Sequence, residues 1–129
     1  MTTIKSYSDL PQSKKLAEFL PLDTADQCFL NDGTAIKAEI NSYSVAMKLW
    51  KEHYIEIIPC WSLTALLEFI RNRHDCNYVA LTSNKASLWC LRTSYYNHVW
   101  EDAEEVSEDA VDACVKMILR LEDLKKIKL

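Results

Sequence analysis

The sequence predicts a single domain of the α+β class over residues 1–129, with an antiparallel sheet of about three to five strands and two or three helices packed on one face. Apolar residues recur at helical spacing in several segments, and short apolar runs bounded by polar turns are typical of strands. The hydrophobic content of 49% and the charged content of 26% are those of a folded globular protein. A chain of this length can bury a core without metals or disulfides.

The first half of the chain predicts a helix, a hairpin and a second helix. The first helix begins near Ser8 or Asp9, carries Pro11 in its opening turn, continues to Leu20 and is ended by Pro21. The turn Asn31-Asp32-Gly33 separates residues 27–30 from residues 34–40, which is a hairpin signal. Residues 42–52 fit both a helical face and strand alternation, and their side-chain propensities favour a helix.

The clearest local signal lies at residues 57–70. Pro59 is expected to end a strand over residues 54–58. Ser62 suits the N-cap of a helix over about residues 63–71, and Trp61 and Leu66 have the spacing of a hydrophobic staple. The apolar stripe of that helix contains Leu63, Leu66, Leu67 and Ile70.

The second half predicts an antiparallel meander and a last helix. Residues 77–82 and 87–92 form two strands, and residues 95–100 are a candidate third strand. Ser107 is the predicted N-cap of the last helix. One face of this helix is apolar and contains Ala110, Cys114, Met117, Leu121 and Leu124.

Several short segments resemble a family of small uncharacterised proteins encoded by phages and mobile elements of gut-dwelling Bacteroidetes. The matching segments are Gln12-Ser13-Lys14-Lys15-Leu16, Asp23-Thr24-Ala25-Asp26, residues 58–68 and residues 109–114. The resemblance implies a phage or mobile-element origin and a similar fold pattern. It implies no activity, cofactor or catalytic residue.

Composition excludes several classes of protein. Gly33 is the only glycine, so neither a P-loop nor a dinucleotide-binding loop can be assembled. No apolar run approaches the roughly 20 residues that span a bilayer, and the first residues lack the apolar core of a signal peptide. We therefore expect a cytoplasmic protein that does not enter a membrane. Its five cysteines are expected to be reduced, mostly buried side chains.

Catalytic and metal sites are not predicted, and no cofactor is expected. A cysteine-dependent enzyme would use Cys60 or Cys76 with a histidine base, and His74-Asp75-Cys76 is the nearest local candidate. Neighbouring residues in a turn rarely face each other, so a polar turn is the better interpretation. The chain also lacks the paired ligand spacing of a zinc site and the glycine of an EF-hand loop.

Charge is unevenly distributed along the chain, whose net charge is −4. Residues 101–112 contain seven carboxylates and no base: Glu101, Asp102, Glu104, Glu105, Glu108, Asp109 and Asp112. A solvated acidic loop is the expected structure. The basic residues are dispersed, which disfavours direct binding of nucleic acid. An acidic inhibitor that mimics DNA and occupies a nucleic-acid-processing enzyme is the alternative function.

Aromatic residues suggest an interaction surface. Strand alternation would place Tyr95, Asn97 and Val99 on one face of the third strand and Tyr96, His98 and Trp100 on the other. Tyrosine and tryptophan are enriched at binding hot spots, so a face turned away from the core would be an interaction surface. The alternative is that helices cover both faces of this strand. The predicted function is therefore that of a small accessory protein without catalysis, which contacts an unidentified protein partner or a second copy of itself. The candidate surface is Tyr96, His98, Trp100, Glu101, Asp102, Glu104 and Glu105.

Overall fold

A computed structural model describes residues 5–73, 75–83, 88–97 and 99–127. The helices are α1 (Leu10–Leu16), α2 (Tyr43–Trp50), α3 (Leu63–Arg71) and α4 (Ala110–Ile127), with a short 3₁₀ turn at Leu22–Thr24. The strands are β1 (Gln27–Asn31), β2 (Ile36–Glu39), β3 (Glu56–Cys60), β4 (Cys76–Ser83), β5 (Trp89–Asn97) and β6 (Val99–Ser107). The α+β class is confirmed, and the strands form two antiparallel sheets of three strands each.

The chain divides into two compact units. One unit is Tyr7–Ala65, and the other contains the described parts of Met1–Ser6 and Leu66–Leu129. The first unit holds the sheet with strand order β2-β1-β3, and the second holds the sheet with strand order β4-β5-β6. The predicted hairpin over residues 27–40 and the helix at residues 42–52 are confirmed as the β1–β2 pair and α2.

The first sheet is covered on both faces. Cys28, Leu30 and Ile57 pack with α2 residues on one side. Phe29, Ile58 and Cys60 pack with Tyr7 and Leu10 on the other side. Consecutive apolar residues in β1 and β3 are buried on alternate faces, which requires cover on both. The prediction that all helices pack on one face therefore does not describe this sheet.

Two predicted boundaries in the first unit are wrong. Helix α1 begins after the N-cap Asp9, as expected, but ends at Leu16, because the following amides of Glu18 and Phe19 bond to carbonyls only three residues back. Pro59 does not end its strand, since it lies within β3 opposite Cys28. β3 is an edge strand, where a residue without an amide N–H is tolerated.

Helix α3 spans Leu63–Arg71, as the sequence predicts. The hydroxyl of Ser62 accepts a hydrogen bond from the amide of Ala65 at 3.2 Å, so the predicted N-cap is confirmed. Ser62 also donates to a carboxylate oxygen of Asp26, whose other oxygen accepts from the Ser62 amide at 2.8 Å. Asp26 therefore fixes the residue that begins the helix.

In the second unit, α4 packs on β5 and β6. Leu91, Thr93, Tyr95 and Ala103 are the buried residues of the two strands on this side of the sheet. The predicted apolar face of α4 is confirmed for Ala110, Cys114, Met117 and Leu121, which are all buried. The side chain of Leu124 lies outside the described residues.

The acidic segment is a strand rather than the expected loop. Glu101, Asp102, Glu104 and Glu105 belong to β6, which pairs with β5 along its whole length. The N-cap of α4 is Asp109 and not Ser107. The carboxylate of Asp109 accepts hydrogen bonds from the amides of Val111 at 2.9 Å and Asp112 at 3.2 Å. A carboxylate at a helix N-terminus also complements the helix dipole.

Candidate interaction surface

One face of the second sheet is largely exposed. We call it the outer face. Its side chains alternate with the buried residues Leu91, Thr93 and Tyr95, so they lie on the opposite side of the sheet. The strand register defines its members as Tyr78, Ala80, Thr82, Cys90, Arg92, Ser94, Tyr96, Trp100, Asp102, Glu104 and Val106.

An aromatic pair stands at one end of the outer face. Tyr96 and Trp100 are directly opposite each other in the β5–β6 register. Their rings meet edge to face, with centroids 5.5 Å apart and planes inclined by 63°. The side of the pair away from this contact is accessible, since Tyr96 is 49% and Trp100 55% exposed. Large aromatic rings in contact with solvent are available for a binding partner.

The predicted alternation near this pair holds in part. Tyr96 and Trp100 share one face and Tyr95 lies on the other, as the sequence predicts. Tyr95 is buried, whereas Tyr96 and Trp100 are exposed. The predicted strand over residues 95–100 is instead divided between the end of β5 and the beginning of β6. His98 and the side chain of Asn97 lie outside the described residues. The binding role of the predicted surface stays a prediction.

A shallow depression of about 260 Å³ lies beside the aromatic pair along the strands. Its lining residues are Tyr78, Arg92, Asp102, Ala103 and Glu104. Tyr78 and Asp102 belong to one row of the sheet, with Ser94 between them. Ser94 has the smallest side chain of this row and is buried, whereas Tyr78 and Asp102 at its two ends are exposed.

The acidic residues of β6 differ in how far their charge is compensated. Glu104 pairs with Nε of Arg92 at 2.9 Å, and Glu105 lies 3.4 Å from Nη1 of Arg120. Glu101 accepts a hydrogen bond from the Tyr95 hydroxyl at 2.8 Å, and this bond raises the pKa of Tyr95. The side chain of Asp102 is exposed, and its carboxylate has no hydrogen bond or ion pair within the part of the chain that the structure describes.

The buried cysteines are poorly suited to nucleophilic catalysis. Burial raises the pKa of Cys28 and Cys60 to about 11 and that of Cys114 to about 12. The thiol of Cys60 contacts Ser8, whose carbonyl oxygen lies 3.4 Å from the sulfur. Burial also raises the pKa of Cys76. His74, the proposed base beside Cys76, lies outside the described residues.

We expect Cys28, Cys60 and Cys114 to resist Ellman's reagent at pH 8 in the folded protein. The attacking species is the thiolate, and a raised pKa lowers the thiolate fraction at any pH below it. Only the partly exposed Cys76 and Cys90 should react, and all five cysteines should react in denaturant. Absorbance of the released thionitrobenzoate gives the count. Rapid modification of a third thiol under native conditions would contradict these environments.

No group of three or more histidine, cysteine or acidic side chains that could hold a metal ion is found among the described residues, which are 5–73, 75–83, 88–97 and 99–127. The hypothetical ligands His74 and His98 lie outside these ranges. Among the described helices, none is long and apolar enough to cross a membrane.

The sequence alone does not indicate that Tyr78 and Arg92 lie on the candidate surface. Both lie on the outer face because of the pairing of three strands, which joins Tyr78 to the row of Asp102 and Arg92 to the row of Glu104. The available signal was alternation within β4 and β5. Alternation alone does not specify which rows align.

Comparisons of the chain with protein-family models, curated proteins and solved structures find no match.

Proposed function

We propose that the protein is a small accessory protein without catalytic activity, which acts by binding a protein partner through the outer face of its second sheet. The observation that carries this proposal is the pair Tyr96 and Trp100. Two large aromatic rings are about half exposed and pack against each other on a strand surface. Such rings bury a large apolar area at little cost in conformational entropy when a partner covers them.

The surroundings of the pair fit a binding surface. Tyr78, which is 42% exposed, adds apolar area one row from the pair, while Arg92, Asp102 and Glu104 supply polar groups. A few aromatic anchors with polar neighbours are typical of protein interfaces. The depression is shallow and lies in an open sheet face, which suits contact with another protein better than enclosure of a small substrate.

The alternative of a DNA-mimicking inhibitor has weaker support. A mimic needs an array of uncompensated negative charges, but Glu104 and Glu105 each have an arginine partner. Glu101 is held by the Tyr95 hydroxyl. Of the four acidic residues of β6 in the predicted surface, Asp102 is the one whose carboxylate has neither an ion pair nor a hydrogen bond within the described residues.

Self-association through the free edge of β6 is also disfavoured. Two β6 strands placed side by side would bring acidic side chains of one copy next to those of the other. Charged side chains on an edge strand oppose this kind of pairing. The proposed phage or mobile-element origin rests on the sequence resemblance alone.

The proposal is tested by affinity purification from the native host with three baits. These are the wild-type chain, the Tyr96→Ala/Trp100→Ala double variant and an Ile40→Ala control. We expect one protein to be retained by the wild type and the control and lost by the double variant, because removal of interface anchors typically costs ~2 kcal/mol or more each.

Ile40 is a suitable control because it is an apolar side chain of the first unit, 83% exposed. It tests whether any exposed apolar residue would give the same loss. Circular dichroism and thermal unfolding of each bait must show that the fold is kept. Retention of the same proteins by all three baits would overturn the proposal.

A further inference from the structure

We propose that the outer face receives a cationic side chain, arginine or lysine, from an extended segment of its protein partner. The cation would occupy the depression between Tyr78 and Asp102, and an adjacent apolar side chain of the same segment would cover Tyr96 and Trp100. This inference rests on the proposed function and specifies the chemistry of the partner.

Charge complementarity supports a cationic partner. Within the depression, Arg92 and Glu104 compensate each other through their 2.9 Å ion pair. The carboxylate of Asp102 has no cation beside it within the described ranges of the chain. The lining residues therefore carry one excess negative charge. A cation on the partner would complete the charge balance, whereas a carboxylate or a phosphate would be repelled.

The row of Tyr78, Ser94 and Asp102 provides a place for this cation. Neighbouring strands lie about 4.8 Å apart, so the two outer residues of the row are separated by roughly 10 Å at the backbone. Ser94 between them is small and 6% exposed. A guanidinium or ammonium group in the depression, which both Tyr78 and Asp102 line, can lie within about 6 Å of the Tyr78 ring, the range of cation–π attraction. It can also reach the Asp102 carboxylate.

The aromatic pair determines what must accompany the cation. Tyr96 occupies the position that follows Ser94 on the outer face of β5, and Trp100 precedes Asp102 on that of β6. The apolar surface thus begins one row from the depression. A segment with an apolar residue two positions from its basic residue would place both side chains on the same side of an extended backbone.

The test uses two capped nine-residue peptides in which leucine and arginine, or leucine and citrulline, alternate over the odd positions with serine at every even position, so that each arginine or citrulline lies two positions from a leucine on the same face. Citrulline keeps the planar shape of arginine but lacks its charge. Each peptide is titrated into ¹⁵N-labelled full-length protein, and shifts of the Trp100 indole and of backbone amides give the site and the dissociation constant. We expect the arginine peptide to shift signals of Trp100 and Asp102, and the citrulline peptide to bind about ten-fold more weakly.

Two isosteric variants distinguish an effect of the Asp102 charge itself from an effect of the net charge of the protein. Asp102→Asn should weaken binding of the arginine peptide about three- to five-fold, as expected for an exposed ion pair. Asp23→Asn removes the same charge from an exposed position in the first unit and should leave the affinity unchanged. Equal affinity of the two peptides, shifts centred on other residues, or an unchanged affinity of Asp102→Asn would each overturn the inference.

Failure of this inference can be distinguished from failure of the proposed function. Suppose that the arginine peptide does not bind selectively but the Tyr96→Ala/Trp100→Ala bait still loses the host partner. The inference of a cationic partner residue is then wrong, and the proposed interaction surface is kept. If that bait retains the partner, both proposals fail. Concentration-dependent sedimentation of the protein without peptide would instead identify a second copy as the occupant, against the proposal.

Discussion

Replacing Arg73 with methionine should lower the free energy of unfolding by about 3–5 kcal/mol. The Arg73 side chain is only 5% exposed and lies between two carboxylates that are also largely buried. It binds both oxygens of Asp75 at 3.0 Å and one oxygen of Glu122 at 2.7 Å. Methionine fills much of the volume but leaves these carboxylates without the guanidinium. Urea unfolding followed by circular dichroism measures the difference.

Arg71→Met is the matched control. Arg71 carries the same charge two residues earlier, but its side chain is 63% exposed and lies 3.6 Å from the exposed Glu68. Exposed pairs of this kind contribute about 1 kcal/mol or less. We therefore expect a large loss at residue 73 and a small one at residue 71. Equal losses would show that Arg73 is not the centre of a buried ion network.

Trp61→Ala should destabilise the protein by about 3–5 kcal/mol, the usual range for deletion of a buried aromatic side chain. Trp61 is fully buried, and its indole N–H donates to the Thr24 hydroxyl at 2.9 Å. Alanine would leave a cavity that the surrounding side chains can fill only in part. Trp61→Phe keeps most of the apolar volume and loses the hydrogen bond, so its effect should be clearly smaller.

Trp100→Ala provides the comparison for Trp61→Ala. The same side chain is removed, but Trp100 is 55% exposed and its ring contact is with Tyr96 across the strands. Such a pair contributes roughly 0.2–1 kcal/mol. Urea unfolding should thus separate a core tryptophan from a surface tryptophan. A loss at residue 100 as large as that at residue 61 would mean that the aromatic pair supports the fold rather than binding.

Local signals explain which elements could be predicted from the sequence. Helix α3 has its N-cap at Ser62 and an apolar stripe within nine residues, so all the information lies in one short segment. The β1–β2 hairpin is specified in the same way by its Asp-Gly turn. There the Asp32 carboxylate accepts hydrogen bonds from the Thr34 hydroxyl and from the amides of Thr34 and Ala35, and these bonds lower the pKa of Asp32 to about 2.

Elements that depend on distant partners could not be predicted. The acidic strand β6 contains residues with low intrinsic strand propensity, and its pairing with β5 brings Arg92 to Glu104, twelve positions along the chain. Pro59 is accommodated because β3 lies at a sheet edge, a property of the assembled sheet. The division of the strands into two sheets likewise depends on which strands pair.

The candidate surface also combines features that local sequence signals predict with features that depend on strand pairing. The shared face of Tyr96 and Trp100 could be predicted from alternation over a few residues. The contributions of Tyr78 and Arg92 required the register of β4, β5 and β6. The compensation of Glu104 and Glu105 by arginines also emerges only from the fold. For this reason the sequence suggests a more acidic surface than the structure presents.

The central claim is that the outer face of the second sheet binds the partner. Its most direct test is the dissociation constant of the purified host partner for the wild-type chain and for Tyr96→Ala/Trp100→Ala, measured by calorimetry beside the Ile40→Ala control. We predict at least about a ten-fold loss of affinity for the double variant and none for the control. Equal affinity of the folded double variant and the wild type would contradict the claim.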